Sequence, residues 1–168
     1  MSDTADEDVP DELIGHDHAI HLSLEHGDRP VDGRVRDHTF KVDDSETLPY
    51  GGHDLAPSAV DYMVIGLAGC QLAVLSQALR KARIEDFEIE IAAIPDAWWR
   101  EEIPEDLPEN QVKRIEHIEV SVDVTVPEEY ESRAQRCLDV YDEGCIVGQS
   151  FRAGVEYTPN TSLSLKED

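Results

Sequence analysis

The chain has 168 residues, a length that suits one domain with a substantial core. Its 38 acidic against 14 basic residues give a formal charge of −24, spread almost throughout, which argues against a nucleic-acid partner, since that needs clustered Lys and Arg, and against an anionic membrane surface. Hydrophobic content of 40% with strong periodicity argues against disorder; acid spread over a folded surface with few lysines instead matches proteins that work in concentrated salt, where self-repulsion is screened.

Residues 1–15, beginning MSDTADEDVPDE, read as a disordered acidic tail, and 16–168 as the folded domain. The N-terminus lacks the basic-then-apolar form of a signal peptide. Apolar runs are interrupted by polar or charged residues before they reach the length of a membrane span. A cytoplasmic protein is therefore expected, with its three cysteines reduced at rest and any disulfide transient or catalytic.

HAIHLSLE alternates Ile20, Leu22 and Leu24 with polar neighbours, which predicts a half-buried strand. After a turn at HGDRPVDG, RVRDHTFKVD reads as one or two extended segments. Gly51 and Gly52 mark a tight loop, and Pro57 fits the first turn of a helix from about Ala56 to Arg83. Val60, Met63, Val64, Leu67, Leu72, Leu75 and Leu79 recur at helical spacing, while Ile65, Ala68 and Val74 fill the other sides. A helix apolar nearly all round is buried nearly all round, and a single small domain rarely surrounds one, so a dimer interface is the natural explanation. Gly66 and Gly69, each costing about 1 kcal/mol relative to Ala in a helix, suggest close approach of another backbone.

FEIEIAAI reads as a strand with Phe87, Ile89 and Ile91 on one face, followed by PDAWWREEIPEDLPENQ as a loop or excursion. IEHIEVSVDVTV is an alternating strand, with Ile118, Val120, Val122, Val124 and Val126 on one side. PEEYESRAQRCLDVYDEG reads as an amphipathic helix closed by Gly144. Cys145 then opens a short apolar helix, and a last strand is expected near GVEYTP. Strands grouped in pairs around helices favour an α+β fold over a doubly wound parallel sheet.

Cys70 lies within AVDYMVIGLAGCQLAVLSQAL, where a thiol is usually inert packing, but Cys145 in EGCIVGQSF supplies a second thiol in a segment with its own signature. The pair raises the prospect of redox chemistry. GGHDLAPSAVDYMVIGLAGC resembles the glycine-proline-helix-cysteine signature of the OsmC/Ohr family, and GCIVGQSF resembles that family's second cysteine motif. The likeness runs from about His18 to Tyr157.

The resemblance implies an intertwined homodimer of antiparallel sheets around a long central helix, with active sites at the dimer interface. It also implies a thiol peroxidase of small organic hydroperoxides that binds no cofactor and is regenerated by an external dithiol. Cys70 then matches the peroxidatic cysteine and Cys145 the resolving one. Reactivity needs the thiolate, and a free cysteine titrates near about 8.5. An arginine at about 4 Å supplies ~4 kcal/mol at an effective dielectric of about 20, so the acidic background calls for a dedicated cation. The family draws one from its N-terminal region, where Arg34 or Arg36 fits and Arg29 is a third choice; an ordinary solvated charge is the competing reading for each.

Two positions depart from the family pattern. Where it has a catalytic glutamate this chain has Val60, with Asp61 next to it, and about 100° of helical turn separates neighbours. Asp61 then either orients an arginine from another direction or caps the helix. Ile146 replaces a frequent proline. The alternative class is therefore an OsmC-fold binding or structural protein with little or no peroxidase activity. General thiol-disulfide exchange is a thinner one, without a C-x-x-C motif.

Cys137 reads as a buried structural thiol. His16, His18 and His21 read as solvated rather than metal-binding, having no further ligand cluster downstream. His53 and Asp54 fit the mouth of a site, and Trp98 and Trp99 either an apolar lid over a hydroperoxide tail or packing at a dimer edge.

Overall fold

The computed structural model describes residues 18–24, 30–44, 52–99, 113–159 and 161. The expected tail 1–15, His16, Arg29, Gly51 and the stretch 100–112 lie outside the described residues. The chain forms two compact units, Met1–Met63 and Val64–Asp168.

In the first unit, β1 (His21–Ser23), β2 (Val31–Val35) and β3 (His38–Val42) form an antiparallel sheet in the order β1-β2-β3. The RVRDHTFKVD segment thus resolves into two strands, pairing Val35 with His38 across a two-residue turn. Arg36 occupies that turn with a positive φ of 50°, the backbone sense hairpin turns require. The alternation around β1 is present, yet Ile20, Leu22 and Leu24 are exposed rather than half-buried. Alternation sets which side chains share a face; burial also needs a layer to cover that face.

The loop into the helix is built on Asp43, a buried carboxylate. Its Oδ1 accepts the Asp44 N–H at 2.9 Å, and its Oδ2 accepts those of His53 at 3.2 Å and Leu55 at 3.1 Å. Gly52 lies directly against the Asp44 backbone: a Cβ there would stand 1.8 Å from the Asp44 carbonyl oxygen. Burial alone would raise the Asp43 pKa, but the N–H bonds from Leu55, Asp44 and His53, with the nearby His53 charge, hold it below the usual carboxyl value. The unfolded chain then binds the proton more readily, so the clamp's contribution is complete above the ordinary value of about 3.9 and is lost as pH falls through the folded one. Thermal melts of wild type and Asp43→Asn should therefore differ most near neutrality, wild type being more stable, and converge in acid; a pH-independent gap would exclude the clamp.

Helix α1 (Ala59–Lys81) starts three residues later than expected, because Ser58 is its N-cap and Pro57 precedes the cap. Ser58 and Asp61 form a capping box: the Asp61 carboxylate accepts the Ser58 N–H and hydroxyl at 2.8 Å each, while Ser58 Oγ accepts the Asp61 N–H at 3.2 Å. Beside this start, Tyr62 donates its hydroxyl to the Lys41 carbonyl at 2.7 Å and meets Phe40 edge-on. The other end closes with Ile84 N–H on the Leu79 carbonyl and Arg83 N–H on that of Arg80, Arg83 taking a positive φ of 58°.

The second unit holds the principal described core. β4 (Glu88–Trp99) and β5 (Lys113–Thr125) form an antiparallel ladder with an irregularity at Asp96/Ala97. β4 thus carries through Pro95 to Trp99, where a loop was expected; Pro95 is tolerated because, among the described residues, the ladder has two strands and each is an edge. Leu75, Leu79 and Ile84 pack with Ala134 and Cys137 of α2 (Glu131–Leu138) against Ile89, Val122 and Val124. Cys137 is the structural thiol the sequence predicts.

The expected single helix through Gly144 is broken, with a 3-10 turn at Glu128–Tyr130, α2, and a second 3-10 turn at Tyr141–Gly144. α3 (Ile146–Ala153) follows. The last strand expected at GVEYTP is absent: 154–159 has no regular structure, and Val155 and Tyr157 are exposed. A strand exists only by pairing, and the described part of the chain offers that segment no ladder.

α1 buries the stripe Leu67, Gln71, Leu75 and Leu79. The rest of the helix is open within the described chain: Val60, Ile65 and Leu72 are exposed, and a Cβ at Gly66 or Gly69 would meet nothing within 4 Å among the described residues. By length and composition alone this 23-residue helix, whose most apolar 18-residue window has a mean hydropathy of 1.6, would also qualify as a membrane span, as core helices often do.

Candidate active site

Both thiols of interest belong to the second unit. Cys70 is on α1, partly buried, one residue before the buried Gln71. Cys145 is fully buried and caps α3, its Sγ accepting the Gly148 N–H at 3.2 Å and its carbonyl that of Gln149 at 2.9 Å. A cysteine here takes the place usually held by Ser, Thr or Asp, and its sulfur sits at the positive end of the helix.

The Cys70 thiol is near enough to Cys145 to help raise its pKa. Burial pushes the Cys145 thiol up, the Gly148 N–H opposes that, the Cys70 neighbour adds to the rise, and the Val147 N–H lowers it. The net direction is upward, so the N-cap position does not by itself make Cys145 a resting thiolate. Two adjacent thiols, one partly accessible and one enclosed, can form a disulfide once the first is oxidised.

A charged group borders this pair. Arg152 of α3 forms an ion pair with the Asp142 carboxylate, and Asp142 also accepts the Cys145 N–H through its carbonyl at 3.2 Å. The Asp142 carboxylate holds Arg152 above its ordinary pKa; burial, then the Asp142 charge, raises that of Tyr141. Beside Cys145, Ile146, Val147, Ser150, Phe151, Gly154 and Val155 line an open apolar groove of about 540 Å³.

Apart from Trp98 and Trp99, which belong to the second unit, the remaining sequence candidates lie in the first. Arg34 donates its Nε to the Arg36 carbonyl at 2.9 Å, and Arg36 is exposed at its hairpin turn. The Asp61 carboxylate is engaged in the capping box, and Val60 is exposed. His53 and Asp54 serve the Asp43 loop, their backbone N–H groups bonding Asp43 and Asp44. The backbone of Trp98 and Trp99 is in β4; their side chains lie outside the described residues. Among the described residues no group of three His, Cys, Asp or Glu is placed to hold a metal ion.

Sequence reading passed over Gln71, Asp142, Gly148 and Arg152. Gln71 was legible as a polar residue at the helical repeat of Leu67, Leu75 and Leu79. It is 6% exposed and its Oε1 has no donor among the described residues. Asp142 and Arg152 carry no spacing signal, because a 3-10 turn separates them from the register of α2.

Residues 51–160 match the OsmC-like protein family. An organic hydroperoxide resistance protein from Elizabethkingia anophelis shares the fold, with a TM-score of 0.58 and 18% identity over 83% of this chain and 91% of that one. The organic hydroperoxide resistance protein of Bacillus subtilis matches with a TM-score of 0.51 and 16% identity, covering 82% and 92%. An OsmC-like protein from Mycoplasma pneumoniae gives 0.56 and 12%, covering 82% and 88%. A comparison with curated proteins finds no match.

Proposed function

The chain belongs to the OsmC-like family, and on that premise we propose that it is a cytoplasmic homodimeric thiol peroxidase of small organic hydroperoxides. The observation that carries the reading is the placement of the Cys70 thiol near Cys145. The Cys70 thiolate attacks the peroxide's terminal oxygen, the O–O bond breaks, an alcohol leaves, and Cys70 becomes a sulfenic acid. Cys145 then displaces water from that sulfur to give a disulfide. An external dithiol reduces it, becoming a disulfide itself. The apolar groove beside Cys145 suits an alkyl tail.

A second copy of the chain is the proposed cover for the exposed apolar residues of α1, Ile65 at 54% among them, and for its open glycines. Arg34 or Arg36 is the proposed activating cation. Peptide mass spectrometry after substoichiometric cumene hydroperoxide should yield a Cys70–Cys145 disulfide. If neither thiol oxidises faster than free cysteine, the enzyme reading fails.

One observation favours the alternative, an OsmC-fold binding or structural protein. Val60 stands where the family resemblance calls for a carboxylate, and the adjacent Asp61 is committed to the helix cap.

A further inference from the structure

Forming the disulfide asks more of Cys145 than proximity. Its thiol is fully buried and its pKa is raised, so at neutral pH it holds a proton that must go somewhere as the sulfur attacks. Among the described residues the titratable or charged groups that bear on it are Cys70 from α1, Tyr141 and Asp142 from the 3-10 turn, and Arg152 from α3. Arg152 is a cation and Tyr141 is held protonated, so neither accepts a proton.

Asp142 differs from both. Its Oδ2 takes the ion pair with Arg152, while its Oδ1 is buried with no donor among the described residues. A methyl group on Gly148 would stand 3.3 Å from the Cys145 sulfur and 3.6 Å from that Oδ1. Thiol and free carboxylate oxygen therefore border one small space, which the missing side chain of Gly148 leaves open. The Asp142 carbonyl is fixed in turn by the Cys145 N–H and the Gln149 side-chain amide, at 3.2 Å each.

We propose that Asp142 is the proton acceptor for Cys145, taking the thiol proton on Oδ1 as the sulfur attacks Cys70, with Arg152 a positioning residue that holds the carboxylate through Oδ2. The S–H electron pair becomes the new S–S bond, and the group displaced from the Cys70 sulfur leaves with its own pair. The Arg152 side chain is 59% exposed, so water screens the ion pair. The assignment rests on the thiol-pair reading above but needs no peroxide to test.

The aromatic disulfide dithionitrobenzoate supplies the test. Cys70 attacks it and releases one thionitrobenzoate; Cys145 then attacks the mixed disulfide and releases a second, as a separate first-order phase. Asp142→Asn should slow the second phase at pH 7 by roughly tenfold or more and leave the first unchanged, with the deficit closing in alkali where the thiol ionises unaided. Gly148→Ala, which keeps the ion pair but fills the shared space, should slow the same phase and guards against a folding defect in the first variant. A second phase of wild-type speed in either folded variant, a deficit equal at every pH, or no second phase in wild type would overturn the proposal. Two phases without hydroperoxide reduction would sink the peroxidase reading and leave this one standing.

Discussion

Cys70→Ser is expected to cut hydroperoxide reduction by roughly a thousandfold or more, because the other thiol at the site, Cys145, is fully buried and held protonated and so is a poor nucleophile for the O–O bond. Cys145→Ser should behave differently. The first turnover proceeds at the wild-type rate, since Cys70 is still there to be oxidised, but the sulfenic acid then persists and is trapped by dimedone. Steady-state turnover with a dithiol should fall, and over-oxidation to the sulfinic acid should rise with peroxide concentration. Cys137→Ser should leave turnover unaltered, because that thiol is packed against Leu75, Leu79 and Ile84. Stopped-flow consumption of cumene hydroperoxide, with intact-mass analysis of the quenched protein, separates these outcomes. Equal loss in the Cys70 and Cys145 variants at the first turnover would contradict the division of roles.

The second large effect belongs to Gly52→Ala. The added carbon would stand 1.8 Å from the Asp44 carbonyl oxygen and 2.2 Å from its carbon, and both are backbone atoms that no rotamer change can move away. Overpacking ordinarily costs about 1–3 kcal/mol, and contact against fixed backbone belongs to the exceptional class above about 4 kcal/mol. Urea unfolding should show the midpoint falling steeply. A loss within about 0.5 kcal/mol, the range of ordinary surface substitutions, would mean the Asp44–Gly52 approach is absent in solution. The same substitution at Gly66 or Gly69 probes a different thing. Within the single chain a methyl there meets nothing among the described residues, so the helix itself should gain, and a loss of stability would report a partner backbone seated at that place.

These two predictions draw on parts of the chain that were unequally legible. The glycines of GGHDLAP were readable as a tight loop, but what makes Gly52 indispensable is Asp43, a residue distant in sequence whose carboxylate gathers three backbone N–H groups. Nothing local distinguishes Asp43 from the other acids of so acidic a chain; only the fold makes it the buried one. α1 was legible because a long apolar period overrides two internal glycines, and its start was off by three residues because Ser58 sets the cap and leaves Pro57 before the helix rather than in its first turn.

The ladder of β4 and β5 followed from alternation. Its extension through Pro95 did not, because a proline signals a break unless one knows that the strand is an edge. The expected strand at GVEYTP failed for the converse reason: alternation marks a candidate, and only a neighbour makes it a strand. At the site, motif likeness singled out Cys70 and Cys145 from three cysteines, and they are neighbours in space. Asp142 and Arg152 escaped because they meet across a 3-10 turn and a helix, a geometry with no fixed period.

Cys137 has a use beyond packing. Enclosed among Leu75, Leu79, Ile84 and Ala134, it meets an alkylating reagent only when that cluster opens, whereas Cys70 is partly accessible in the closed state. The chain therefore carries its own internal clock. At low reagent, the slow modification of Cys137 reads the free energy of opening under native conditions, without denaturant, while the fast modification of Cys70 calibrates the reagent. The same sample thus yields conformational stability and site reactivity at whatever salt concentration is chosen.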